Sequence, residues 1–213
     1  MTLVLGPLER SHLQELQRWR NSPALRAHTR GTRLLSYADQ LAWYERQRTD
    51  PNTRMWAVSD SAYWRNAAPL AICGVAGLCH IDWINRAAEL SLYVTRDGFF
   101  EDFAAEAEVV RLLCAEAFDG LGLHRVWAEV YGTVPDRRRP FHDTLDQVGS
   151  IPHCVYRNGA WHDAALYSLT EEQWHRTRGI GARHSSTASA APPSPDSSSS
   201  PGAAPSPPSS PCS

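Results

Sequence analysis

Residues 96–107 read RDGFFEDFAAEA, between a strand-like run, AELSLYV (88–94), and a helix-like run, FAAEAEVVRLLCAEAF (103–118). A strand that turns directly into a helix leaves the first backbone N–H groups of the helix pointing outward, a ready seat for a phosphate, and such turns are usually glycine-rich. This one has Gly98, then Phe99, Phe100, Glu101 and Asp102. Beyond it, Phe103, Ala107, Val110, Cys114 and Ala117 recur at helical spacing, and Gly120 and Gly122 end the run. A strand-to-helix junction of this kind sits at the centre of a mixed α/β fold.

Upstream, TLVLGPL (2–8) reads as a short strand. Ser11 with Gln14 has the pattern of a capping box opening a helix over LQELQRWRN (13–21), stopped by Ser22-Pro23. Ser36 is an N-cap for a second helix, YADQLAWYERQR (37–48), stopped by Asp50-Pro51. TRMWAVSD (53–60) alternates like a half-buried strand, LAICGVAGLCHID (70–82) is a longer apolar run, and NRAAELSLYVT (85–95) pairs with it through a turn near Asn85. Downstream, HRVWAEVYG (124–132) is a strand, and CVYRNGAWHDAALYSL (154–169) is a hairpin around Asn158-Gly159. The stretch PDRRRPFHDTLDQVG (135–149) resists assignment, because Pro140 would break a long helix. The predicted order is β-α-α-β-β-β-α-β-α-β-β, without an internal repeat.

Composition divides the 213 residues into a domain over 1–180 and a Ser/Pro/Ala-rich tail over 181–213. From Ser185 onward lie eight of the 15 prolines and no large apolar residue, so the tail is expected to be disordered. All 21 basic residues are arginine, which excludes a catalytic lysine or Schiff base. A formal net charge of −2 gives no general argument for nucleic acid or a membrane as partner. Cys73, Cys79, Cys114, Cys154 and Cys212 form no C-x-x-C pair, and there is no signal peptide or membrane-length apolar run, so a reducing cytoplasmic setting is expected.

The same residues resemble a family. LGPLERSHLQELQRWRNSPALR (5–26), QLAWYERQRTDP (40–51), AELSLYV, the AEA of the central helix (105–107), AFDGLGLHRVWAEVYG (117–132) and YRNGAWHDAALYSL (156–169) together resemble GNAT N-acetyltransferases of the RimJ/RimL-like branch. The likeness covers about residues 3–170. It implies a central, mostly antiparallel twisted sheet, flanked by helices and splayed at its fourth and fifth strands, with acetyl-CoA in the gap. By resemblance, the pantetheine pairs with the strand edge at Leu92, Tyr93, Val94 and Thr95, and the pyrophosphate meets the helix start at Phe103, Ala104 and Ala105.

The chain departs from that pattern at the turn itself. The family's R/Q-x-x-G-x-G/A, aligned on AEA, puts Phe100 and Asp102 at the glycine positions with Glu101 between them. A side chain there hinders close approach of phosphate to backbone. One like-charge pair about 5 Å apart at an effective dielectric near 20 costs roughly 3 kcal/mol, about two decades of affinity. A carboxylate also caps a helix start as well as a phosphate does, so the seat reads as filled by the chain's own side chains. The family's N-x-x-S and G-F signatures likewise fall on Thr133, Asp136 and Thr144-Leu145.

Acetyl transfer to an amine requires a base for the ammonium proton and an acid for the leaving thiolate. Glu89 stands where many relatives carry their base; the alternative is an ion pair with Arg86 or Arg125. Tyr131 and Tyr156 are the candidate acids, or else core tyrosines. Trp19 and Trp43, on the two N-terminal helices, and the loop from Arg26 to Leu35 are expected to wall the acceptor cleft, although core packing explains the tryptophans equally well. His153-Cys154 is expected to form no dyad, since neighbours on a strand point to opposite faces. His142, His153 and His162 lack metal-ligand spacing, and no metal is expected. Arg137, Arg138 and Arg139 form either a site for the CoA 3′-phosphate or a solvated face.

Three functions remain open at this point. One is acyl transfer from acetyl-CoA to a primary amine of a small molecule or a protein N-terminus. Another is a GNAT fold that has lost CoA binding and serves as an accessory protein; the last is a different donor or reaction in the same cleft. A monomer or homodimer is expected, with neither nucleic acid nor membrane as partner.

Overall fold

A computed structural model describes residues 2–61, 72–95, 100, 102–133 and 139–178, all within one unit, Met1–Gly181. The predicted tail, Glu101 and the Arg137–Arg138 pair lie outside the described residues, and of Arg139 only the backbone is described. Seven strands, β1 (Leu3–Pro7), β2 (Arg54–Asp60), β3 (Gly74–Asp82), β4 (Ala87–Val94), β5 (Arg125–Tyr131), β6 (Asp146–Arg157) and β7 (Ala160–Thr170), form one sheet. Their order is β1-β2-β3-β4-β5-β7-β6, antiparallel everywhere except between β4 and β5. The helices are α1 (Leu13–Asn21), α2 (Pro23–Arg26), α3 (Tyr37–Thr49), α4 (Phe103–Ala115), α5 (Arg139–His142) and α6 (Glu171–Thr177).

Strand alternation sorts the core onto two faces. Ala76, Leu78, Leu90 and Val94 pack with Val109, Val110 and Leu113 of α4. Val75, one residue out of phase, joins Leu13, Leu16 and Trp19 of α1 and Tyr44 of α3. The sheet is therefore covered by α4 on one face and by α1 and α3 on the other.

Local chemistry explains most boundaries. Ser36 caps α3 as expected, and Asp39 returns a bond to the Ser36 N–H, completing a capping box. Pro23 takes the first position of α2, where its missing N–H costs nothing, and Ser22 caps it. The box expected at Ser11 and Gln14 is found two residues earlier: Glu9 and His12 cap each other across a 3₁₀ turn, Arg10–His12, that precedes α1. Both Asn158 (φ 50) and Gly159 (φ 83) adopt positive φ, the pairing that a two-residue hairpin turn needs. The β6 arm of that hairpin starts at Asp146, eight residues before the expected start at Cys154, and passes Pro152 at a register irregularity between Ile151 and Val155. Pro152 is tolerated there because β6 is an edge strand. Among the described residues, the rest of the ambiguous stretch supplies the one-turn α5, with Pro140 near its start.

Parallel pairing of β4 with β5 stops after three residue pairs, the last being Glu89 with Trp127. Beyond that point β4 stays paired with β3 as far as Val94, while β5 continues along β7 to Tyr131. The two strands part, and the expected splay is present.

Candidate active site

The gap between β4 and β5 opens into a cavity of about 670 Å³. Its lining includes Trp43 and Gln47 of α3, Leu92 and Tyr93 of β4, and Glu89, Glu129 and Tyr131 where the two strands part, the part of the cavity termed its mouth.

At the mouth, two strands, β4 and β5, converge on one guanidinium. Arg30, in the loop between α2 and α3, donates from Nε to the Tyr131 hydroxyl at 2.9 Å. Its terminal nitrogen donates to Glu129 at 2.8 Å and to Glu89 at 3.2 Å. The side chains of Glu89 and Glu129 are only 12% and 13% exposed, whereas that of Arg30 is 59% exposed. Hydrogen bonding to Tyr131, and the two carboxylates, push the Arg30 pKa still higher, so it stays charged throughout. Burial raises the Tyr131 phenol above its ordinary value, a rise that the Arg30 contact opposes.

The ion pair expected between Glu89 and Arg86 or Arg125 is corrected here: the partner is Arg30, and the Arg86 guanidinium instead donates to the Gly122 carbonyl. His80 approaches the other Glu89 oxygen at 3.6 Å. Its backbone has φ 51 within a bulge of β3, which re-aims the side chain toward β4. Cys154 donates its thiol to Glu129 at 3.0 Å, and this bond raises its pKa. His153 instead stacks obliquely near Trp161, so the adjacent His-Cys pair forms no dyad.

Backbone ties fix the Arg30 loop. Arg157, the last residue of β6, donates to the carbonyls of Thr29 and Arg30 at 3.0 and 3.2 Å. Asn21 brackets Leu35 with a pair of hydrogen bonds, and Arg26 donates to the Thr32 carbonyl at 3.0 Å. Arg26 therefore braces the loop between α2 and α3 and does not line the cavity.

The other end of the gap is the sequence's strand-to-helix turn. Asp102 caps α4, its carboxylate accepting from the Ala105 N–H at 3.1 Å. Phe100 is 4% exposed and packs edge-on against Trp19 (6.4 Å, 81°) and Tyr93 (6.5 Å, 68°). The Phe100 half of the filled-seat expectation is thereby revised: the ring is part of the core under α1. The Asp102 half is observed as a cap.

Of the other expected site residues, Trp43 lines the cavity, and Trp19 is buried beneath it with Phe100. Tyr156 is 54% exposed beside Trp161 on the outer strand and is not part of the cavity lining. Val94 and Thr95 are buried at the end of β4. Phe103, Ala104 and Ala105 form the first turn of α4.

An acyl-pantetheine fits this end in two respects. The β4 edge beyond Glu89 has no strand partner on the β5 side among the described residues. The Thr95 hydroxyl, in a residue 4% exposed, likewise finds no partner among them. Burial pushes the Cys79 thiol, in the cavity wall, up to about 11, so it is not a thiolate nucleophile near neutral pH. No helix among the described residues is long and apolar enough to cross a membrane.

Sequence reasoning overlooked Glu129, His80, Arg30 and Arg157. Glu129 carried a signal, since it lies two residues before Tyr131 and so shares its strand face. Arg30 carried none, as nothing in a loop sequence foretells which acids a long side chain will reach.

Comparison with known proteins places this geometry. The profile of the acetyltransferase (GNAT) domain family matches residues 2–133. YdaF of Bacillus subtilis (strain 168), a candidate ribosomal N-acetyltransferase, is 30% identical over 105 residues, which are 49% of this chain and 56% of that protein. The chain thus aligns with little more than half the length of that relative. Spermidine N-acetyltransferase from Vibrio cholerae, solved with CoA and spermine, superposes with a TM-score of 0.70 at 18% identity, over 81% of this chain and 98% of that one. A dodecameric form of the same enzyme gives 0.65 at 19% identity, over 81% and 96%. At such identities these superpositions establish the fold. With the family profile spanning more than half of it, and β4 and β5 parting as that fold requires, the chain belongs to the GNAT acetyltransferase family.

Proposed function

We propose that the protein is an N-acetyltransferase that moves an acetyl group from acetyl-CoA to a primary amine, on a small molecule or a protein N-terminus. The observation that carries this reading is the gathering of Glu89, Glu129 and Tyr131 where β4 and β5 part. Spermidine as acceptor of one superposed enzyme, and a ribosomal protein as that implied for YdaF, both fall within this class.

The donor supplies an activated acyl carbon. The chain's own residues do the rest. The β4 edge from Leu92 to Thr95 offers the hydrogen-bonding groups for an extended pantetheine, in the manner of an added strand. An amine reaches the site as an ammonium and attacks only after losing a proton. Glu89, largely shielded and at the mouth, accepts it. As the C–N bond forms and the C–S bond breaks, the Tyr131 hydroxyl is placed to return a proton to sulfur, its raised pKa keeping it protonated beforehand.

Thermal unfolding tests the donor and turnover tests the roles. About millimolar acetyl-CoA should raise the unfolding midpoint by several degrees, and its failure to do so would count decisively against this reading. Glu89→Gln and Tyr131→Phe should each lower turnover by about 100-fold or more at unchanged fold, the range usual for a lost general base or acid.

A second reading is favoured by one observation, the Asp102 cap on the amide of Ala105. In it the protein keeps the fold as a binding or accessory subunit without CoA. The thermal-shift experiment separates the two.

A further inference from the structure

Two shielded carboxylates facing one cavity repel each other unless a cation lies between them. Here the chain provides that cation itself, and it does so with a side chain that remains 59% exposed. The backbone carrying it is held by Arg157 from a different part of the fold. With most of its side chain exposed, the Arg30 guanidinium has solvent beside it into which it can rotate.

We propose that Arg30 occupies the acceptor's cation subsite, and that the acceptor is an alkylammonium which takes its place between Glu89 and Glu129. This rests on the acetyltransferase reading only for the fate of the bound group. Displacing one monovalent cation by another leaves the charge of the site unchanged, so a protonated amine exchanges with Arg30 at little electrostatic cost. A neutral, weakly basic aromatic amine does not, because it would leave Glu89 and Glu129 without a countercharge. Arg30 thereby sets specificity for strongly basic amines. Once seated, the ammonium gives one proton to Glu89, while Glu129 keeps its bond from Cys154.

Self-occupancy also weakens ligand binding in a defined way. The apparent dissociation constant is raised by the reciprocal of the fraction of molecules in which the subsite is open; at a tenth open, the factor is about ten. Arg30→Gln should remove that factor.

The experiment is a calorimetric titration of the full chain with n-butylammonium chloride, without acetyl-CoA and at fixed ionic strength. Arg30→Gln should bind about tenfold more tightly than the unmodified protein. The double variant Arg30→Gln/Glu129→Gln should lose the gain. In the unmodified protein, the Nε–H resonance of Arg30 should shift on titration as its contact with Tyr131 breaks. Equal or weaker binding by Arg30→Gln, no detectable binding by either protein, or an Nε–H resonance unmoved at high n-butylammonium each overturns the proposal. If Arg30→Gln does not fold, Arg30→Lys serves: its single ammonium cannot span the same three partners, so it too should bind more tightly, and equal binding refutes the idea. Acetylation of n-butylamine is measured separately. Tighter binding without turnover retains the cation subsite and discards acetyl transfer, whereas turnover with unchanged binding does the opposite.

Discussion

The two ends of the gap between β4 and β5 are finished by different means. At the α4 end, the finishing contacts are a helix cap and core packing: Asp102 caps an amide three residues on, and Phe100 packs beside Tyr93, seven residues back, and Trp19, 81 residues back. At the mouth they are ion pairs and hydrogen bonds, with Arg30 reaching Glu89, Glu129 and Tyr131, 59 to 101 residues away in the sequence. The first kind stabilises the fold whether or not anything binds. The second consists of exposed charge held against shielded charge, which a ligand can replace. The contrast suggests a donor end built for rigidity and an acceptor end built for exchange.

The largest test of that contrast is Phe100→Ala. Its ring completes a mutual edge-on trio with Trp19 and Tyr93. Truncating a buried phenylalanine costs about 3–5 kcal/mol, to be read from the shift in denaturant midpoint. If the ring is core and not an obstacle, CoA affinity of the folded variant should stay as it was. A gain in CoA affinity without loss of stability would show that the ring stood in the phosphate seat after all.

A smaller and more discriminating effect belongs to Asp102. Asp102→Ala removes the cap and should cost about 1 kcal/mol. Asp102→Asn keeps an equally good cap and removes only the charge, so stability should hold while CoA binds more tightly, by at most about two decades. Calorimetric titration of both variants with CoA, beside their unfolding curves, separates the two contributions. If Asp102→Asn binds CoA no better than the unmodified protein, the carboxylate does not face the pyrophosphate and serves the helix alone.

Separation along the chain explains what could be read in the sequence. The β4 to α4 junction, the Ser36 cap, the Asn158-Gly159 turn and the boundaries of α1 and α3 were legible, because each depends on residues within a few positions of one another. Glu89 and Tyr131 were legible as candidates through family resemblance, and the structure brings both to the cavity. Phe100 was misread for want of a long-range fact: Trp19, 81 residues earlier, lies where the ring can bury itself. The Glu9 and His12 box was missed because a histidine ring nitrogen here does the work usually sought from Glu or Gln. Arg30 was illegible for the same reason that it is informative, since its partners lie on β4 and β5 and its backbone is fixed from β6.

The smallest expected effect reports on the mouth from a side chain that is not in the proposed chemistry. The Cys154 thiol donates to Glu129, and that bond, followed by burial and the carboxylate's charge, raises its pKa; nearby Arg30 acts in the opposite sense. Because only the thiolate reacts with iodoacetamide, Cys154 should alkylate more slowly at pH 8 than an ordinary exposed cysteine, measured by peptide mass spectrometry that resolves it from Cys73, Cys79 and Cys114. Glu129→Gln removes the charge and leaves only a neutral, weaker acceptor, so the pKa should fall; each unit of fall multiplies the thiolate fraction about tenfold while the pH stays below the pKa. Arg30→Gln removes the cation that favours the thiolate, and should slow the reaction further. Saturating n-butylammonium applied to the unmodified protein replaces one cation by another, and should leave the rate close to where it began. A large slowing on adding the amine would mean that Arg30 is expelled without its charge being replaced beside Glu129, and the acceptor end would then be exchanging its charge somewhere other than between the two carboxylates.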